Sequence, residues 1–156
     1  MHFSLIHISE KPSAWLQAAC DNFRRRLPPE FGFNEIALAP LKRTKNSHLD
    51  NLRDQEWTQI CANVPKSSRL VLLDERGKTY TSVQFSQQIQ YWQQAGQDIS
   101  FVIAGTDGVN PPHRQQASSL LALSPMTMPH ELARLILLEQ LYRAWSISAN
   151  HPYHRI

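Results

Sequence analysis

Apolar positions along this chain form two patterns that take turns. Nearly continuous apolar runs occur at Arg69–Leu73 (RLVLL) and Ile99–Ile103 (ISFVI), with looser ones at Phe3–Ile8 (FSLIHI), Phe31–Ala39 (FGFNEIALA) and Leu120–Leu123. Such runs suit strands covered on both faces, as in a parallel sheet. Between them apolar side chains recur at helical spacing. Trp15, Leu16, Ala19, Phe23 and Leu27 predict a helix over Pro12–Leu27, opened by Pro12 and stopped by Pro28-Pro29. Leu49, Leu52, Trp57, Ile60 and Cys61 predict a rougher one over Ser47–Asn63. Thr81 with Gln84 three positions on fits a capping box, opening a helix that runs to Ala95 and ends at Gly96. Pro111-Pro112 opens a short helix to Ser118, and His130–Ser146 reads as a long apolar one.

Strands and helices thus alternate along the whole chain, which predicts an α/β fold with a mainly parallel sheet and helices on both faces. In such sheets ligands bind beyond the carboxyl ends of strands. Three loops leave strand ends here: after Leu73, where Asp74–Gly77 reads as a turn, after Ile103 and after Leu123. Ala104–Gly108 (AGTDG) has small side chains and exposed backbone groups, which suits either a tight turn or the close approach of a polar ligand. It has neither P-loop nor dinucleotide-fingerprint spacing. Ser124–Pro129 (SPMTMP) carries two methionines and no charge, fitting a rigid connection or an apolar pocket wall for an adenine ring.

The length of 156 residues predicts a single domain, 1–156, and 42% apolar with 19% charged residues fits a globular chain. A net charge of +3 is compatible with an RNA partner. Cys20 and Cys61 lack metal-site or redox spacing and read as reduced thiols of a cytoplasmic protein. No signal peptide and no membrane span is expected.

Basic residues cluster twice. Arg24-Arg25-Arg26 complement a helix C-terminus, and three in a row also allow a phosphate contact. Lys42, Arg43 and Lys45 have no carboxylate near them in sequence, leaving a solvated turn or an RNA-backbone contact. In the last helix, Leu137 and Leu138 widen the apolar stripe beyond what one face needs, which points to a second copy across a two-fold axis. The chain then ends in Asn150-His-Pro-Tyr-His-Arg155, a crowd of titratable and aromatic groups. No carboxylate lies beside His151 and His154, so no metal site is expected.

The run Glu139–Ile147 (EQLYRAWSI) followed by Asn150–Arg155 (NHPYHR) closely resembles the C-terminus of the RlmH family, SPOUT-class methyltransferases of 23S ribosomal RNA. The resemblance spans the chain, taking in Arg24-Arg25-Arg26, the Leu73-Asp74 strand end, the glycine loop and Met126–His130. It implies a SPOUT-type α/β fold with a C-terminal trefoil knot, a homodimer, and transfer of a methyl group from S-adenosylmethionine to N3 of a pseudouridine on the assembled ribosome. By motif match the cofactor contacts would be Leu73, Ala104, Gly105, Leu123, Ser124, Pro125, Met126, Thr127 and Met128. The family loop reads Gly-Gly-x-x-Gly, and here Ala104 replaces its first glycine, which fits only if its φ is negative. The tail of one subunit would complete the site of the other.

By chemical type, His151 or His154 would take the N3 proton. Arg143 or Arg155 would stabilise developing charge, and Tyr142 or Tyr153 would stack on the base. Arg24, Arg25, Arg26, Lys42, Arg43 and Lys45 are the expected phosphate contacts. Two rivals remain: a non-catalytic ribosome-associated RNA-binding protein, and a methyltransferase of the same class for tRNA or another ribosomal RNA base.

Overall fold

A computed structural model describes residues 1–155. The chain runs β1 (Phe3–Ile8), α1 (Ala14–Arg26), a 3-10 turn (Pro29–Phe31), β2 (Asn34–Leu38), α2 (Leu49–Ala62), β3 (Arg69–Thr79), α3 (Ser82–Gln94), β4 (Ile99–Ile103), α4 (Pro111–Gln116), β5 (Ser119–Ala122) and α5 (His130–Ser148). The strands form one sheet in the order β2-β1-β4-β3-β5, and every pairing is parallel.

The apolar runs sort their side chains by the period of two. Leu5, Val71, Ile99, Phe101, Ile103 and Leu121 face a cluster with α1, α3 and α5. Ile6, Ile8, Leu70, Leu72 and Val102 face the other way, onto Trp57 and Ile60 of α2. Stacking of Trp57 on His113, 5.0 Å between ring centroids, brings α4 to that second side. Each step toward the β2 edge therefore crosses on the α1/α3 side, and each step toward the β5 edge on the α2/α4 side. All four crossovers share one hand, as parallel connections require.

Local signals hold where they were strongest. Thr81 Oγ1 accepts from Gln84 N at 3.1 Å and Gln84 Oε1 accepts from Thr81 N at 2.9 Å, completing the capping box. Gly96 takes φ +63°, and the bonds Gly96 N to Gln93 O and Gln97 N to Trp92 O, both 3.0 Å, close α3 in a Schellman motif.

Two expectations change. Leu137 and Leu138 are fully buried within their own chain, because α5 packs against both α1 and α3. The width of the stripe reflects two covered faces, so it no longer argues for a second copy; on α5 the exposed large apolar side chain is Leu132, at 38%. The chain after Leu73 does not simply turn, since β3 resumes and runs to Thr79. No helix among the described residues is long and apolar enough to cross a membrane.

Candidate active site

The resumed strand builds a cleft. Leu73 and Lys78 both stand opposite Leu121 on β5, so residues 74–77 are looped out as a wide irregularity at the strand's carboxyl end. Gly77 is needed there: a Cβ on it would lie 2.6 Å from the Leu120 carbonyl carbon. Looped-out Asp74, Glu75 and Arg76 wall a cleft of about 400 Å³ with Ile103–Val109 after β4, Leu123, Ser124 and Met126–Met128 after β5, and His130 and Ala133 of α5. Of the predicted cofactor contacts, Leu73, Ala104, Gly105, Leu123, Ser124, Met126, Thr127 and Met128 line it, and Pro125 does not. Three loops far apart in sequence meet because β4, β3 and β5 are neighbours in the sheet.

The loops are shaped by named contacts. Gly108 takes φ +72° and donates to Gly105 O at 2.9 Å, closing a tight turn. Ala104 has a negative φ, so its methyl group causes no backbone strain. A Cβ on Gly105 would come within 3.3 Å of Glu56 Oε1 and Ile8 Cγ2, so this glycine serves close packing on α2 and β1. Ser124 Oγ accepts from Met126 N at 3.0 Å, and Thr127 Oγ1 donates to Glu75 Oε2, tying the loop after β5 to the looped-out part of β3.

The cleft is also charged, which the linear pattern did not signal. Arg53, Arg76, Arg114 and His130 stand on its walls with Asp74, Glu75 and Asp107. Asp74 Oδ2 accepts from Arg114 Nε at 2.7 Å and its Oδ1 accepts from Arg76 N at 2.9 Å. Burial works to raise its pKa, but these two bonds outweigh it and hold the carboxyl below its ordinary range.

The tail is ordered elsewhere. Asn150 takes φ +53°, and His151 N donates to Ser146 O at 2.9 Å, so the chain reverses off α5 as it does after α3. The reversal folds the tail back along α5. Ser146 Oγ lies 2.8 Å from His154 Nδ1 and donates to His151 O at 3.0 Å. Tyr153 OH donates to Glu139 Oε1 at 2.9 Å, and Arg143 Nε donates to the same oxygen at 2.9 Å. The Arg143 guanidinium sits 5.1 Å from the Tyr153 ring centroid. Burial, then the Glu139 carboxylate, pushes the Tyr153 hydroxyl pKa up. Tyr142 is buried against Tyr153, 4.6 Å away, and Trp145, 5.6 Å away, so it packs the tail and presents no free ring for a base.

Among the described residues, no tail residue lines the cleft. His130 and Ser148 bound α5, so at roughly 1.5 Å per residue its two ends stand about 27 Å apart. The predicted site residues thus fall into two groups at opposite ends of one helix.

The basic residues also divide. Arg24 donates to Asp21 Oδ1 at 2.8 Å and Glu35 Oε2 at 3.1 Å, and Arg43 is held by Glu56 and Asp107, so both serve the fold. Arg26 lies 5.9 Å from the ring centroids of Phe23 and Tyr142, beside the tail. Arg25, Lys42 and Lys45 are exposed and enter no ion pair among the described residues.

A family model described as "Predicted SPOUT methyltransferase" matches residues 1–154. The chain belongs to that family. It is 41% identical over 155 residues to the ribosomal RNA large subunit methyltransferase H of Burkholderia lata, covering 99% of both chains. It is 39% identical over 156 residues to the protein of the same name from Herminiimonas arsenicoxydans, covering 100% of both. Among solved structures, a probable methylase family protein from Haemophilus influenzae superposes with a TM-score of 0.54 at 11% identity, over 99% of this chain and 70% of that one, a likeness of fold alone. In this SPOUT methyltransferase, the parallel sheet places the cleft where doubly wound sheets hold ligands, and α5 carries the titratable tail away from it.

Proposed function

We propose that this SPOUT methyltransferase transfers a methyl group from S-adenosylmethionine to N3 of a pseudouridine in large-subunit ribosomal RNA, on the assembled ribosome. In this reading it acts as a single-domain homodimer, with the C-terminal segment threaded as a trefoil knot. The observation that carries the reading is the separation of the two half-sites. A cleft at one end of α5 and a cluster of His, Tyr and Arg at the other work together only if a second copy brings its tail to this cleft. The relatives, named for methylation of large-subunit ribosomal RNA, supply the substrate class.

The residues present fit the cofactor. Leu72, Leu73, Ile103, Leu123, Met126 and Met128 offer apolar wall for a purine, the loops after β4 and β5 offer backbone groups for its edge, and carboxylates and arginines stand close enough together to meet a zwitterionic amino acid. When bound, the cofactor supplies an electrophilic methyl group. The chain's own residues then position and manage protons. In-line approach is set by the walls of the cleft. His154 is oriented through Nδ1 by the fully buried Ser146, leaving Nε2 to take the N3 proton, with His151 beside it as the other base. Arg155 is exposed, and Arg143 is a cation anchored on Glu139; either can face charge developing on the ring carbonyls. In this reading the half-buried Tyr153 stacks on the base. Arg25, Arg26, Lys42 and Lys45 hold RNA phosphates, with Arg24 and Arg43 fixing their supports.

The test is methyl transfer to ribosomes from a strain lacking the modification, followed by mapping of the methylated nucleotide. A methyl group on N3 of a large-subunit pseudouridine supports the reading. Methylation of another base or of tRNA replaces it with the same-class rival, and no cofactor binding in calorimetry replaces it with an RNA-binding protein.

A further inference from the structure

Arg43 joins the basic loop to the cofactor loop. Its Nη1 donates to Glu56 Oε2 at 2.8 Å and to Leu41 O at 2.6 Å. Its Nη2 donates to Glu56 Oε1 at 3.0 Å, and its Nε donates to Asp107 Oδ2 at 2.9 Å. Four bonds from one planar guanidinium thus span loop 40–48, helix α2 and the turn at 104–108. Further bonds tighten the same joint. Glu56 Oε2 also accepts from Leu41 N at 3.1 Å, and Asp107 O accepts from Arg53 Nε at 2.9 Å. Gly105 packs directly on Glu56.

Burial decides how this joint moves. Glu56 is 2% exposed, and among the described residues Arg43 is its only cationic partner. Withdrawing loop 40–48 with its arginine would leave a desolvated carboxylate without its counter-charge, which is strongly unfavourable. The two loops therefore shift as one body rather than separately. One of them carries the exposed Lys42 and Lys45, and the other forms the wall of the cleft from Ala104 to Gly108.

We propose that Arg43 is a positioning residue that couples RNA binding at Lys42 and Lys45 to cofactor binding in the cleft, so that each ligand tightens the other. The inference rests on the functional reading above. Each ligand holds the shared body in the arrangement the other requires, and linkage makes the two enhancements equal. Sequence did not signal this role, because the carboxylates that hold Arg43 lie 13 and 64 positions away.

The experiment measures ribosome affinity of the full-length protein with and without saturating S-adenosylhomocysteine, and S-adenosylhomocysteine affinity of the free protein by calorimetry. For the unaltered protein the nucleoside should tighten ribosome binding about fivefold or more. Arg43→Lys keeps the charge but loses the fork, and Asp107→Ala removes the acceptor that links Arg43 to the cofactor loop while leaving Arg43 on Glu56. Both should reduce the ratio to within about twofold while each ligand still binds, a readout that simple loss of stability does not move. Should Arg43→Lys fail to fold, Asp107→Ala carries the test. A ratio near one in the unaltered protein, with both ligands binding, overturns the coupling and leaves the methyltransferase reading standing. A ratio preserved in both variants overturns the role of Arg43. Absence of any nucleoside binding overturns the functional reading and the coupling with it.

Discussion

Replacing Glu35 with Gln isolates a buried charge cluster formed with His7, Arg24 and Arg134. The Glu35 side chain is 4% exposed on β2, and it accepts from Arg134 Nε at 2.5 Å and Arg24 Nη1 at 3.1 Å while lying 3.0 Å from His7 Nε2. Burial works to raise its pKa, but the hydrogen bonds from His7 and Arg134 and the Arg134 charge outweigh it, taking the carboxyl from 4.5 to about 2. Because the folded value lies below the unfolded one, the stabilisation is fully present above pH 4.5 and is lost as pH falls through about 2. Its size follows from the difference in pKa: about 3 kcal/mol at pH 7, about 1.4 kcal/mol at pH 3 and about 0.4 kcal/mol at pH 2. Glu35→Gln keeps the shape and removes the charge, leaving Arg134, whose side chain is 8% exposed, without its carboxylate. Urea unfolding followed by circular dichroism, at one protein concentration and at pH 7, 5 and 3, should show the variant less stable by about 3 kcal/mol at the first two and by less than half of that at the last. A loss below about 1 kcal/mol at pH 7, or a gap that stays constant down to pH 3, would refute the assignment of Glu35 as an ionised anchor.

Gly77→Ala should destabilise by about 1–3 kcal/mol in the same assay, because its Cβ would meet β5 backbone rather than a movable side chain. Gly108→Ala has open space and should lose only about 1 kcal/mol, from the φ of +72°; the reverse ranking would contradict the geometry. Lys42→Ala with Lys45→Ala should reduce the logarithmic salt slope of ribosome binding by about 2, and an unchanged slope would remove both from the RNA footprint. Mixing equal amounts of a cleft variant, Leu123→Arg, with a tail variant, His154→Ala, should restore about a quarter of the unaltered activity, since half of the random dimers then hold one complete site. No recovery despite proven subunit exchange would mean that cleft and tail of the same chain act together.

Much of the fold was legible in the sequence because local physics fixes it. The strand runs at Phe3–Ile8, Arg69–Leu73 and Ile99–Ile103, the Thr81 capping box and the Gly96 stop depend on neighbours within a few positions, and each is found in place. The continuation of β3 past Leu73 was not legible. DERGK reads as a turn by composition, and only pairing of Lys78 and Thr79 with Leu121 and Ala122 makes it strand again. The two leucines at 137 and 138 were legible as apolar and illegible as to partner, since period alone cannot tell two faces of one core from a face left for a second copy.

The sequence by itself determined the alternation of elements, the parallel sheet, the loops that would border a ligand and, through the closing Asn150–Arg155 run, the family. Tertiary structure alone decided which charges are structural. Arg24 and Arg43 look like surface cations in the chain, yet each finds a carboxylate that sequence distance hid. It also decided that the loops share one cleft while the tail stands a helix length away. The physical reason is range. Propensity and periodicity act over one turn or one strand, whereas ion pairing and strand order depend on contacts between residues far apart in sequence, 11 positions for Arg24 with Glu35 and 64 for Arg43 with Asp107, which exist only once the sheet is assembled.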